Sequence, residues 1–216
     1  IWDKIVSNAL KGGEPGLLNG FLANQMSNLW YFKPLICTNP CGEIWLIEYD
    51  CCDLGALVLP RFVIETTSGP QVDWKLMADA VKMGVRFLDD VLTVNNYPLP
   101  EIKDTCFNIR RIGLGVTGLH DMLLRLMLRY NSDQGLEMVD KVMCFIKNAA
   151  YEASIDLAKE KGSFPVFEAA KFVKSGFIKT LKPSLRSAIL KHGIRNCALL
   201  TVAPVGTGSM VCGNLS

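Results

Sequence analysis

Two long amphipathic stretches constrain this chain more than anything else in it. From Val72 onward, Leu76, Met77, Ala80, Val81, Val85, Leu88, Val91 and Leu92 recur at helical spacing, with Asp73 placed to cap the first turn. A second stretch begins at Ser132 and runs through Lys161 to a stop at Gly162, with Leu136, Val139, Met143, Ile146, Ala150, Ala153 and Leu157 on one stripe. Helices with a single apolar stripe must bury it against another layer. The candidates for that layer are the segment Cys51 to Leu59, almost continuously apolar after Asp53 as a strand buried on both faces would be, and Ile194 to Val202. Strands alternating with helices predict an α/β domain.

The remaining segments are shorter. Ile1 to Leu10 has helical spacing and ends at Gly12-Gly13, Glu14-Pro15-Gly16 is a turn, and Leu17 to Leu22 reads as a short strand entering a polar loop at Asn24 to Asn28. Tyr97 to Pro100 interrupts the chain, and Pro183 opens a helix that ends at Gly193. Arg110 and Arg111 read as a solvated or capping pair. Gly113-Leu114-Gly115-Val116-Thr117-Gly118 fits a dinucleotide fingerprint by spacing alone, but Thr105 to Ile112 is a poor strand and the segment runs directly into the helical Leu119 to Leu124. These glycines are therefore read as serving close helix packing, and His120 as a packing residue. There is no internal repeat, low-complexity segment or linker.

Half of the 216 residues are apolar and the net charge is +2, so the composition is globular and offers no basic field for nucleic acid. No apolar run is long enough to span a bilayer and no signal peptide is evident, which predicts a soluble cytoplasmic protein. Ile1 at the start and Gly213-Asn214-Leu215-Ser216 at the end read as the edges of an interior piece of a longer protein. The eight cysteines are expected to be reduced thiols, with Cys106, Cys144, Cys197 and Cys212 as small buried hydrophobes.

The candidate chemistry lies in Thr38-Asn39-Pro40-Cys41-Gly42-Glu43. Asn39, Cys41 and Glu43 alternate, so an extended or looped backbone projects them to one side, while Pro40 and Gly42 suit a tight tip. A cysteine can act as a thiolate nucleophile or as a thiyl radical, and the second role needs no histidine base; His120 and His192 are both remote in sequence. Glu43 can move a proton from a substrate hydroxyl, and Asn39 can fix a hydroxyl without carrying charge. Cys52 offers a second thiol; Cys51 and Cys52 are adjacent, so on a strand they point to opposite faces and only one can face the site, the other being packing. An alternative is a thiol redox or metal-binding module built on Cys37, Cys41, Cys51 and Cys52, although their spacing contains no C-x-x-C pair. Farther on, Ala203-Pro204-Val205-Gly206-Thr207-Gly208-Ser209 is a small-residue loop whose amides and hydroxyls can approach an anion; it has no Walker lysine, and a plain tight turn is the other reading.

Asn39-Pro40-Cys41-Gly42-Glu43 followed by Cys52-Asp53-Leu54-Gly55 resembles the catalytic subunit of ribonucleotide reductase, most closely its adenosylcobalamin-dependent class. The likeness continues through Ile112 to Leu119, Tyr151-Glu152-Ala153-Ser154 and Ala203 to Ser209, and so covers nearly the whole chain. The resemblance implies an α/β barrel of ten strands with a finger loop through its centre, of which residues 1–216 are the central part, truncated at both ends. It implies that Cys41 becomes a thiyl radical and abstracts the ribose 3′ hydrogen, that Glu43 takes the 3′-hydroxyl proton, and that Asn39 orients the hydroxyls. Cys52 and a cysteine on an upstream strand would supply reducing equivalents, renewed by a thioredoxin- or glutaredoxin-type partner, and Ala203, Pro204, Val205, Gly206, Thr207 and Ser209 would hold the nucleotide phosphate. The family carries Thr where Val205 stands and commonly Ile at Gly208. Pro40 and Gly42 beside the cysteine, with Cys52 following so soon, favour the cobalamin class. With the partner cysteine and effector elements outside this segment, the 216 residues alone are expected not to turn over.

Overall fold

The computed structural model describes residues 1–215. The chain runs α1 (Trp2–Gly12), α2 (Gly20–Met26), β1 (Cys37–Thr38), β2 (Trp45–Leu46), β3 (Leu54–Val58), a 3-10 turn (Leu59–Phe62), β4 (Val63–Thr66), β5 (Gly69–Val72), α3 (Trp74–Val94) and α4 (Pro100–Ile109). It continues through β6 (Gly113–Thr117), α5 (Leu119–Arg125), α6 (Asp133–Lys161), α7 (Ala169–Phe172), a 3-10 turn (Ile178–Thr180), α8 (Pro183–His192) and α9 (Gly206–Cys212). The mixed content is that of an α/β fold. No helix among the described residues is long and apolar enough to cross a membrane.

The centre is a parallel pair, β3 and β6, in register from Leu54 opposite Gly113 to Val58 opposite Thr117. A third ribbon lies beside β6: Leu114 N–H donates to the Leu199 carbonyl (2.8 Å), Thr201 N–H donates to the Leu114 carbonyl (3.3 Å), and Leu114 and Leu200 form a parallel bridge. β4 and β5 form a separate antiparallel hairpin between β3 and α3. Helix α3 lies across the central pair, and Gly84 brings it so near that a Cβ there would stand 3.1 Å from Leu114. Helix α6 packs on α3 in turn, and Val81, Val85, Val142 and Ile146 are all buried in one continuous core.

The caps of the long helices are where the sequence puts them. Asp73 accepts from Leu76 N–H (2.9 Å), Ser132 Oγ accepts from Gly135 N–H (3.1 Å), and Gly162 and Gly193 close α6 and α8. Several expectations need correction. Leu17 to Asn28 is not strand and loop: Asn19 caps α2 through Leu22 N–H (2.9 Å), and Asn24 exchanges two hydrogen bonds with the Leu35 backbone. The Cys51 to Leu59 strand starts only at Leu54 and ends where Pro60 enters a 3-10 turn, and Ile194 to Val202 is a bonded ribbon instead of a regular strand. Gly113 and Gly115 do not serve helix packing. They sit in β6, where a Cβ on Gly115 would lie 2.8 Å from the Thr201 carbonyl oxygen, so glycine permits the close approach of the third ribbon.

Of the two readings of Arg110 and Arg111, capping holds for Arg110, the left-handed residue that closes α4, but neither arginine is solvated, since both are buried. Arg110 Nε lies 2.7 Å from Asp89, a fully buried carboxylate that also meets Arg195 at 3.2 Å and Asn196 Nδ2 at 3.1 Å. Arg111 Nε lies 2.7 Å from Asp50. Cys106 and Cys197 are buried as expected, but Cys144 and Cys212 are exposed, the first on the open side of α6 and the second at the end of α9.

Candidate active site

The loop that carries Cys41 is held at its root by β1 and β2, paired antiparallel with Thr38 opposite Trp45. Within it the Asn39 side chain spans the turn: its Nδ2 donates to Glu43 Oε2 (2.6 Å), and its Oδ1 accepts from Ile44 N–H (3.3 Å). The Asn39 carbonyl accepts from Gly42 N–H (3.1 Å), and Gly42 has φ of 78°, a left-handed value that favours glycine. Asn39 and Glu43 thus meet directly. Cys41 stands between them in sequence with an exposed thiol at the tip. A carboxylate fixed by a neutral amide beside an accessible thiol can orient a hydroxyl-bearing ligand and take a proton from it.

A further contact ties this loop to the central sheet. Thr201 Oγ1 donates to the Glu43 carbonyl (3.0 Å), and Thr201 is seated against Gly115 of β6. Ala203 follows two residues later, so the small-residue segment leaves from the point where the loop is anchored. That segment is not all loop, because α9 begins at Gly206 after Val205 as its cap residue, with no side-chain cap. Gly206 and Thr207 are exposed, whereas Ser209 is buried and spends its hydroxyl on the Gly206 carbonyl (2.7 Å). Backbone N–H groups in the first turn of a helix lack intrahelical acceptors and can face an anion.

Cys51 and Cys52 point apart. Cys52 is exposed as a residue, but partial burial of its sulfur, with the nearby negative charges of Asp50 and Glu43 adding, pushes its thiol up against the opposing pull of Arg111. It is therefore held as a thiol at neutral pH. Cys51 faces inward to Cys106, with 3.0 Å between the two sulfurs. Asp53, next in the chain, is pushed up to about 6 by burial and by the charge of Asp89, and its Oδ2 is buried without a hydrogen-bond partner.

Beside the loop a cavity of about 490 Å³ opens between α2, α6 and the 197–200 ribbon, lined by Glu43, Trp45, Asn28, Arg111, Lys147 and Tyr151 among others. Cys197 also faces it, its thiol pushed up to about 12 by burial. Sequence reasoning missed Thr201, Arg111 and Asn28, which donates to the Cys197 carbonyl at 2.8 Å. Only Arg111 had a local signal, since a charged pair between Ile109 and Ile112 is well placed to be buried. Among the described residues no three His, Cys, Asp or Glu side chains gather as metal ligands would.

A family profile described as ribonucleotide reductase, barrel domain, matches residues 1–216. The chain is 37% identical over 213 residues to the vitamin B12-dependent ribonucleoside-diphosphate reductase of Thermoplasma acidophilum, covering 99% of this chain and 25% of that protein. It is 35% identical to the enzyme of the same name from Mycobacterium tuberculosis strain H37Rv, covering 99% of this chain and 27% of that protein. To the ribonucleoside-diphosphate reductase large subunit of Caenorhabditis elegans it is 31% identical over 230 residues, again 99% of this chain and 29% of the relative. The chain thus spans between a quarter and a third of the length of these relatives. With the profile matched from end to end, the chain belongs to the ribonucleotide reductase barrel-domain family.

Proposed function

We propose that this chain supplies the thiol site of an enzyme that reduces ribonucleotides to 2′-deoxyribonucleotides, as the central part of a ten-stranded α/β barrel with the Cys41 loop as its finger. The observation that carries this reading is the exposed Cys41 set between Asn39 and Glu43, which are hydrogen-bonded at 2.6 Å. Cys41, as a thiyl radical, abstracts the ribose 3′ hydrogen while Glu43 accepts the 3′-hydroxyl proton and Asn39 orients the hydroxyls. Cys52 and a second cysteine outside this chain give up two electrons and two protons as the 2′-hydroxyl leaves as water. The resulting disulfide is reduced by a thioredoxin- or glutaredoxin-type dithiol. Ala203, Pro204, Val205, Gly206, Thr207 and Ser209 hold the nucleotide phosphate, with the free amides at the start of α9 as donors and Ser209 serving to shape the turn.

The cavity of about 490 Å³ suits a nucleotide-sized ligand and cannot enclose a corrin, so no residue here is assigned to hold adenosylcobalamin. Cobalamin as the radical source is supported by the names of the Thermoplasma and Mycobacterium relatives. A cytoplasmic location fits the substrate and the reduced thiols. The rival thiol-redox or metal-binding module on Cys37, Cys41, Cys51 and Cys52 has no support from these relatives. The test is product analysis: the complete gene product, given ribonucleoside diphosphates, adenosylcobalamin and a dithiol, forms deoxynucleotides. No deoxynucleotide from any ribonucleotide, under conditions where the Mycobacterium enzyme works, would overturn the reading.

A further inference from the structure

Cys51 and Cys106 lie 55 residues apart in sequence, one just before β3 and the other on α4, yet their sulfurs are 3.0 Å apart. Disulfide bonds are about 2.05 Å long, so closure asks for a movement of about 1 Å, within reach of small rotations of two side chains. Cys51 is half-buried and Cys106 fully buried, so Cys51 is the sulfur a reagent can reach. The surroundings are polar for so enclosed a place. Tyr97 lies against Cys106, and the carboxylates of Asp50 and Asp53 act on both sulfurs. Asp50 is occupied by Arg111 and by the Ile47 and Cys51 N–H groups. Asp53 is not, since its buried Oδ2 has no partner. A dithiol with one reachable sulfur and one enclosed sulfur already in near contact has the parts of a thiol–disulfide exchange site.

We propose that Cys51 and Cys106 form a reversible dithiol–disulfide couple, separate from the Cys41 and Cys52 chemistry, whose oxidant is a small disulfide such as oxidised glutathione. Cys51 loses its proton to solvent and attacks one glutathione sulfur, giving a mixed disulfide and one glutathione thiolate, which takes up a proton from solvent. Cys106 then attacks the Cys51 sulfur, forms the Cys51–Cys106 bond and expels the second glutathione, to which its own proton goes. Two protein thiols lose two electrons and two protons, and one glutathione disulfide becomes two glutathiones. The product ties the backbone that carries Cys52 to α4. This inference does not depend on the proposed reductase chemistry.

The folded chain is incubated with oxidised glutathione, its remaining thiols are blocked with N-ethylmaleimide in denaturant so that buried thiols also react, and tryptic peptides are mapped by mass spectrometry. The expected result is a cross-link between the Cys106 peptide and the peptide that carries Cys51 and Cys52, with Cys106 no longer alkylated. Cys51→Ser and Cys106→Ser abolish the link, and Cys52→Ser leaves it. Fragment ions that separate residues 51 and 52 locate the bond in the wild-type chain as well, so the outcome does not depend on the variants folding. A link that survives Cys51→Ser, or maps to Cys52, overturns the proposal; so does Cys106 that stays fully alkylated after oxidation.

Discussion

Asn39 and Glu43 form a unit at the tip of the candidate site, because one amide both fixes the carboxylate and closes the turn through Ile44 N–H. Glu43→Gln keeps a group that can meet Asn39 but removes the proton acceptor. Its expected effect is a loss of about 10²- to 10⁴-fold in kcat in the complete gene product, with an unchanged melting curve; steady-state kinetics and calorimetry check both halves. Asp53 gives a pH prediction of a different kind. Its carboxyl is pushed up to about 6 in the fold, so the folded chain holds that proton more tightly than the unfolded chain does. The stability from this group is fully present below the ordinary carboxyl range and is lost as pH rises through about 6. Asp53→Asn should therefore stabilise the chain at pH 8 by about 1–2 kcal/mol, allowing for partial exposure, with a smaller gain at pH 4. Urea melts at the two pH values check it, and an equal effect at both would remove burial of this carboxyl as the cause.

At the scale of elements, the Asp89 cluster and the Gly115 contact fix how α3, α4 and the third ribbon meet the central pair. Asp89→Ala leaves Arg110 buried and Arg195 partly buried without their carboxylate, and a loss of about 3–5 kcal/mol in unfolding free energy is expected. Gly115→Ala places a methyl 2.8 Å from the Thr201 carbonyl, inside contact distance of backbone that cannot turn aside. It should cost about 1–3 kcal/mol and also disturb Glu43, which Thr201 holds. Denaturant unfolding of both variants is the measurement. These two sites show which elements the sequence discloses. Helices α3, α6 and α8 are readable because period, cap and stop all lie within each stretch. Strand β6 is not, because its glycines answer to Thr201, far along the chain, and the burial of Arg110 answers to Asp89. Helix α2 is obscured for the same reason: Asn24 looks like a loop residue until its bonds to Leu35 are seen.

For the whole molecule, the candidate site is an assembly of separated pieces: the Cys41 loop, the β3 entrance with Cys52, and the segment leading from Thr201 into α9. The residue types in the loop make its chemistry legible from sequence. What anchors it is not, because Thr201 meets it only after folding. The same holds for Cys51, which a strand pattern leaves as either a site or a packing residue and the fold sets against Cys106. The relatives are between three and four times as long as this chain, so the proposed reaction is to be assayed in the complete gene product. The most direct test of the central claim is the rate of deoxynucleotide formation by that product with Cys41→Ser, beside Thr67→Ala as a control in the exposed turn between β4 and β5. The account predicts that Cys41→Ser falls to background while nucleotide binding persists and Thr67→Ala remains active. A Cys41→Ser enzyme that still forms deoxynucleotide at the wild-type rate would contradict it.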